Sequence, residues 1–251
     1  DRGVHICKSM LAYKKWGKDK ELGKEPISYL LKLYVEFHEK AKADDSLDDE
    51  ARIWFKKLED GNKEALSLWK RFREFSIKEF EKIYEILGID FDVFSGESFY
   101  EKQANKVIEE LKKKKLAITS EGALVIDLEK QGLGKTLIRK KDGAKLYLTR
   151  DIAAAIDRYR KYRFHKMIYE VGSEQKLHFK QVFKVLSLLG FNWAENCIHA
   201  DHGLYLDSDG KKFATRKGKT VFMEDVLEET IALAKQEIEK REKLAKKEIE
   251  R

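Results

Sequence analysis

The chain alternates between stretches with helical apolar spacing and shorter ones with a period of two. Val4, Cys7, Leu11 and Tyr13 share one side of a helix over 4–16 that Gly17 would stop. Pro26 suits the first turn of a second helix, whose Leu30, Leu31, Tyr34, Phe37 and His38 form one face. The acidic run 44–50 reads as a solvated connection; without a glycine turn or ligand spacing it argues against a metal loop. Leu66, Trp69, Phe72, Ser76, Phe80, Ile83 and Leu87 mark a long helix over 62–87, closed by Gly88. Such an aromatic stripe is core before it is a platform for bases. Alternation over 89–94 predicts a strand. Ser98 and Glu101 have capping-box spacing before a helix that ends in the lysines of 112–115, which complement its dipole.

Beyond residue 116 the pattern turns to strands at 124–128, 136–139 and 145–149, with Asp142-Gly143 as a hairpin turn. From Asp151 it is helical again. An apolar strand over 167–171, a turn at Gly172-Ser173 and a helix over 177–189 closed by Gly190 follow. Strand, helix and strand at this spacing imply a βαβ unit and hence an α/β fold with a parallel sheet covered by helices.

Composition narrows the class. Of 251 residues, 39% are charged, 42% hydrophobic and 11% aromatic, which describes a folded chain with a heavily charged surface. The formal net charge of +7 favours a polyanionic partner such as RNA or a phosphorylated ligand, although lysine-rich surfaces also serve solubility alone. A single proline, Pro26, leaves domain boundaries to be read from periodicity. No uncharged apolar run reaches membrane-spanning length, and the first residues do not read as a signal peptide. Cys7 and Cys197 lie too far apart in sequence for a disulfide framework or a cysteine-based zinc ribbon. No structural metal and no membrane partner are expected, and a reducing, cytoplasmic setting fits.

Four segments could carry chemistry. Gly132-Leu133-Gly134-Lys135-Thr136 fails as a phosphate loop, because Glu129 stands where the first glycine is needed and a hairpin follows instead of a helix. His199, Asp201 and His202 sit close together, but His-x-x-His alone is a weak metal signal, and a structural or ligand-facing role is preferred. The stretch 209–219 places several cations and a threonine between glycines, and follows the βαβ unit, where ligands bind outside the carboxyl ends of strands. It reads as a loop that folds over a polyphosphate, or as a basic surface hairpin. Tyr147-Leu148-Thr149-Arg150-Asp151 closes a predicted strand and opens a helix, so Asp151 is either a helix cap or a carboxylate facing the same crevice.

Together these segments resemble the arginyl-tRNA synthetases, which are class I aminoacyl-tRNA synthetases. The resemblance is carried by 147–155, by Met167-Ile168-Tyr169 with Gln175-Lys176-Leu177-His178, and by Phe213-Ala214-Thr215-Arg216-Lys217-Gly218, in matching order and spacing. It implies that Tyr147, Asp151 and Gln175 hold arginine, with Asp151 pairing the guanidinium. It places His178 on the ATP side with Lys212, Phe213 and Ala214. Residues 212–216 match the KMSKS signature, so Lys212, Thr215, Arg216 and Lys217 would act on the phosphates during catalysis. The implied substrates are ATP, with Mg2+, L-arginine and tRNA(Arg). Arginine carboxylate attacks the α-phosphorus, pyrophosphate leaves, and the arginyl group then passes to the terminal ribose of tRNA. Positioning and electrostatics carry that rate, with no side-chain nucleophile.

The resemblance also implies an architecture. Residues 1–22 would end a first Rossmann half, 23–143 form a helix-rich, CP1-like α+β insertion, 144–222 supply the second half of a class I Rossmann-type parallel sheet with the KMSKS-like loop, and 223–251 form a C-terminal stem helix. Thr215 occupies the place of the second KMSKS lysine, which shifts phosphate stabilisation to Arg216, Lys217 or other groups. No His-x-Gly-His occurs, and the sequence stops before a helical anticodon-binding domain; the chain alone is therefore expected to be an inactive piece of a monomeric parent enzyme. A non-catalytic nucleotide- or RNA-binding module descended from such a synthetase stays open beside this reading.

Overall fold

A computed structural model describes residues 3–141, 146–204, 206, 210 and 221–241. The chain divides into two compact units, Val93–Lys212 and Arg2–Asp92 together with Phe213–Arg251.

The second of these is helical. Helices α1 (Val4–Trp16), α2 (Asp19–Leu22), α3 (Pro26–Ala41), α4 (Ser46–Glu59) and α5 (Lys63–Leu87) follow one another. Their inward faces form one core, in which Met10, Phe37, Leu58 and Phe72 are fully buried. Pro26 takes the first position of α3, where its missing N–H costs nothing. The buried face of that helix is Leu30, Leu33 and Phe37, with Leu31 only half-buried. The acidic run is not a connection: from Ser46 it is the first turn of α4. Leu47, Ala51, Trp54 and Leu58 are buried on one side of that helix, and the Asp44 carboxylate accepts from the Ser46 amide and hydroxyl at 3.1 and 2.6 Å. Negative charge at a helix start is favoured by the exposed amides there.

Helix α5 begins and ends where its polar signals stand. Asn62 Oδ1 accepts from the Ala65 amide at 3.1 Å, and Gly88 leaves the helix in the left-handed region, φ 63°. Only its first half is core; Phe80 and Leu87 are exposed. Residues 89–94 form no strand, and Ile89, Phe91, Val93 and Phe94 are exposed.

In the Val93–Lys212 unit, α6 (Glu101–Lys113) follows a 3-10 turn at Glu97–Tyr100. Ser98 does not cap it; the Glu101 carboxylate is turned to Arg150 instead. Strands β1 (Ala117–Ser120), β2 (Ala123–Asp127) and β3 (Lys135–Arg139) form an antiparallel sheet in that order. Gly132 and Gly134, both at positive φ, turn the chain between β2 and β3. Helix α7 (Tyr147–Tyr162) starts where a strand over 145–149 was expected, so Tyr147 to Asp151 lie on helix. The expected Asp142-Gly143 turn lies outside the described residues.

Strand β4 (Met167–Gly172), helix α8 (Lys176–Leu188) and strand β5 (Cys197–His202) make the expected βαβ unit, β4 and β5 pairing in parallel from Met167↔Cys197 to Gly172↔His202. The core beneath joins Ile152 and Ala155 of α7 to Val182 and Leu186 of α8, with Ile126 and Ile138 of the antiparallel sheet. Two buried polar side chains tie the layers: Thr149 Oγ1 donates to Ile138 O at 3.1 Å, and Gln181 Nε2 to Leu133 O at 2.8 Å. Helix α9 (Met223–Arg241) belongs to the helical unit. No helix among the described residues is long and apolar enough to cross a membrane.

Candidate functional site

The site is built where α7 and α8 begin. Tyr147 is the first residue of α7 and is exposed. Asp151 lies one helical turn on, the spacing that puts two side chains on one face. Helix α8 starts at the carboxyl end of β4, the usual place for a ligand in an open parallel sheet. Gln175 stands just before its first turn and is exposed, and His178 sits within that turn.

One contact joins the two helices here. His178 Nε2 lies 2.6 Å from Asp151 Oδ2. The side chain of His178 keeps 22% of its accessibility and that of Asp151 38%, so the pair borders solvent. The structure thus brings His178, expected near ATP, onto the carboxylate expected to hold arginine. Tyr147 and Gln175 precede the two partners in sequence, and their side chains make no hydrogen bond to another described residue. Lys212, Phe213, Ala214, Thr215, Arg216 and Lys217 lie outside the described residues.

Read alone, the sequence gives Arg150 no role, and further polar groups lie around the pair. Arg150, next to Asp151, is 7% exposed; its Nη1 donates to Glu97 at 2.6 Å and its Nε to Glu101 at 2.9 Å. These bonds fix the start of α7 on the 97–101 segment. The signal available was its position among buried Leu148, Thr149 and Ile152, where an arginine needs acid partners. Behind the site Tyr169 is buried. Burial pushes its phenol up, the nearby Arg158 guanidinium opposes this, and the charges of Cys197 and Asp151 add to the rise. At the end of β5, Lys176 pairs with Asp201 at 2.8 Å and holds that carboxyl below its ordinary range. His199 Nε2 lies 2.8 Å from Val171 O, and His202 Nδ1 2.9 Å from Gly203 O. His199 and Asp201 thus have protein partners of their own, and no group of three or more metal-ligating side chains is gathered among the described residues.

The fold thus sets a parallel βαβ unit, with His178 in the first turn of its helix, beside a helix that carries Asp151, and sequence comparison says to which family the chain belongs. The profile of the class I tRNA synthetases (R), catalytic domain, matches residues 3–251, and the chain belongs to that family. An arginine–tRNA ligase of an Exiguobacterium species is 51% identical over 241 residues, covering 96% of this chain and 43% of that protein. The arginine–tRNA ligase of Clostridium perfringens is 47% identical over 241 residues, covering 96% and 42%. The chain therefore spans less than half the length of these curated relatives. Among solved structures, Thermus thermophilus arginyl-tRNA synthetase superposes with a TM-score of 0.74 at 18% identity, covering all of this chain and 47% of that one. The Plasmodium falciparum arginyl-tRNA synthetase gives 0.70 at 23% identity, covering 94% and 38%. These two likenesses establish a shared fold.

Proposed function

We propose that this chain is the catalytic-core part of an arginine–tRNA ligase, which forms arginyl-adenylate from arginine and ATP and passes arginine to tRNA(Arg). The observation that carries the reading is Asp151: a half-exposed carboxylate, one oxygen engaged by His178, at the ligand end of a parallel βαβ unit. In this reading Asp151 accepts the substrate guanidinium, Tyr147 lies beside it on the same helical face, and Gln175 supplies an amide from the start of α8. A desolvated, charge-assisted contact of this kind separates arginine from neutral analogues by more than shape can.

Lys212, Arg216 and Lys217 serve the other half of the reaction, with Thr215 in the place of a lysine and Phe213 and Ala214 alongside the nucleotide. Their charges match the phosphate oxygens of Mg-ATP as the arginine carboxylate oxygen bonds to the α-phosphorus and the bond to pyrophosphate breaks. The ribose hydroxyl of tRNA then attacks the arginyl carbonyl carbon, and AMP leaves. In domain terms we assign 1–22 and 144–222 to a Rossmann-type core, 23–143 to a CP1-like insertion, and 223–251 to a stem helix. A two-stranded parallel sheet with Ile168 and Ile198, register partners, both exposed on one face fits a core that other strands and helices complete. The protein would work in the cytoplasm as a monomer. The test is adenylate capture: the gene product carrying this sequence, given labelled arginine, Mg-ATP and tRNA, should form arginyl-adenylate and charge tRNA. Binding of nucleotide or RNA with no adenylate would instead identify a non-catalytic descendant.

A further inference from the structure

The bond between His178 and Asp151 decides how the carboxylate can meet a ligand. At 2.6 Å, Nε2 to Oδ2 is a short hydrogen bond, donated by the imidazole. The imidazole packs edge-on against Phe179, with 5.3 Å between ring centroids. Phe179 is itself fixed by Tyr169 at 4.8 Å and His199 at 4.6 Å. Of the two partners the imidazole is thus the better covered, and the carboxylate is the one open to solvent. Among the described residues Asp151 Oδ1 accepts no hydrogen bond. A carboxylate anchored at one oxygen cannot rotate about its terminal bond without losing the anchor, so the orientation of Oδ1 is set before any ligand arrives.

We infer that His178 is a positioning residue for Asp151: it fixes the plane of the carboxylate so that a planar cation with paired N–H donors meets a preset acceptor. A planar guanidinium gains from that fixed plane, whereas a tetrahedral ammonium can adjust to any carboxylate orientation and gains less. Preorganisation removes an ordering cost that the ligand would otherwise bear. The inference rests on the reading that Asp151 holds the cationic end of arginine, and it moves His178 from the nucleotide to the amino-acid side of the site.

The test uses the gene product carrying this sequence, with His178→Ala, His178→Gln and Asp151→Asn. Glutamine can place an amide N–H near the position of Nε2; His178→Asn, which reaches only as far as Nδ1, replaces the alanine variant if that one does not fold. Amino-acid-dependent ATP–pyrophosphate exchange gives KM for arginine and for ATP, and calorimetry with arginine gives Kd without turnover. His178→Ala should raise the arginine KM and Kd about tenfold, the worth of one hydrogen bond to a charged group. It should leave the ATP KM within about twofold and narrow the preference for arginine over lysine. His178→Gln should recover most of the loss. A raised ATP KM with an unmoved arginine KM overturns the inference, as does a glutamine variant no better than alanine. If Asp151→Asn leaves arginine affinity unchanged, the reading that Asp151 holds arginine is itself overturned; loss in Asp151→Asn without loss in His178→Ala overturns the positioning role alone.

Discussion

Removing the Arg150 guanidinium should unfasten the segment that carries Asp151. The Arg150 side chain is 8% accessible and makes charge-assisted bonds of 2.6 Å to Glu97 and 2.9 Å to Glu101, whose side chains keep 17% and 32%. Each such bond is worth about 1.5–3 kcal/mol net. Partial exposure of Glu101 puts its share at the low end, because solvent screens it. Truncation also leaves Glu97 largely buried without its cation, and removing one partner of a buried pair costs about 3–5 kcal/mol. We therefore expect Arg150→Ala to destabilise the Val93–Lys212 unit by about 3–4 kcal/mol. Replacing all three together, as Arg150→Met with Glu97→Gln and Glu101→Gln, should cost much less, since no charge is left uncompensated. Hydrogen exchange read by mass spectrometry on peptides of α6 and α7 follows this unit separately from the helical one. A loss below about 1 kcal/mol, or a triple variant as unstable as Arg150→Ala, would refute the argument and leave α6–α7 packing to apolar contact alone.

In the helical unit, Phe72→Ala should cost about 3–5 kcal/mol by denaturant unfolding, because Phe72 is fully buried and meets Tyr13 edge-on; the exposed Phe80, replaced in the same way, should cost well under 1 kcal/mol. Burial, reinforced by Glu59, pushes the Cys7 thiol up to about 12, and burial pushes Cys197 up to about 11. Both thiols should thus resist alkylation at pH 8 until denaturant is added. The native state holds these protons above the pH at which the unfolded thiols lose theirs, so stability should fall as pH rises from about 9 to about 12; Cys7→Ala should flatten that fall in a pH series of melts. Replacing Lys212, Arg216 or Lys217 singly by alanine should lower kcat more than equilibrium ATP affinity, because their charges are assigned to the transition state. Equal losses in both would mark a docking patch.

Where a polar signal and an apolar period coincide, the fold is legible in the sequence. Helix α5 runs from the residue after Asn62 to the residue before Gly88 because the cap and the left-handed glycine satisfy its terminal groups locally. The βαβ unit at 167–202 is legible for a similar reason, its strands being short apolar runs between turn residues. Charge concealed α4. The acids of 44–50 dominate the run, yet Leu47, Ala51, Trp54 and Leu58 repeat at helical spacing and their burial outweighs the solvation of the acids. Residues 89–94 alternate as a strand should, but a ladder needs a second strand in register and no strand is assigned there. Ser98 and Glu101 had the spacing of a capping box, and the buried guanidinium of Arg150 won the carboxylate instead.

The candidate site is marked in the sequence as separate residues and not as an arrangement. Tyr147, Asp151, Gln175 and His178 were all marked by their segments, but 27 residues separate Asp151 from His178, and no local pattern tells that they touch. Arg150 and its acids are linked in the same way, across 53 and 49 residues. Contacts of that range belong to the tertiary fold, and a single sequence encodes them only through the packing it produces.

In the proposed function the Asp151 carboxylate selects a guanidinium for adenylation. The most direct measurement is ATP–pyrophosphate exchange by the gene product carrying this sequence, with arginine, lysine and citrulline compared, in the native protein and in Asp151→Asn. Citrulline keeps the shape of arginine and lacks its charge. We predict exchange with arginine alone for the native protein, and a loss of at least a hundredfold in kcat/KM for arginine in Asp151→Asn, equivalent to about 3 kcal/mol. Exchange supported by citrulline, or arginine exchange that survives Asp151→Asn undiminished, would contradict it.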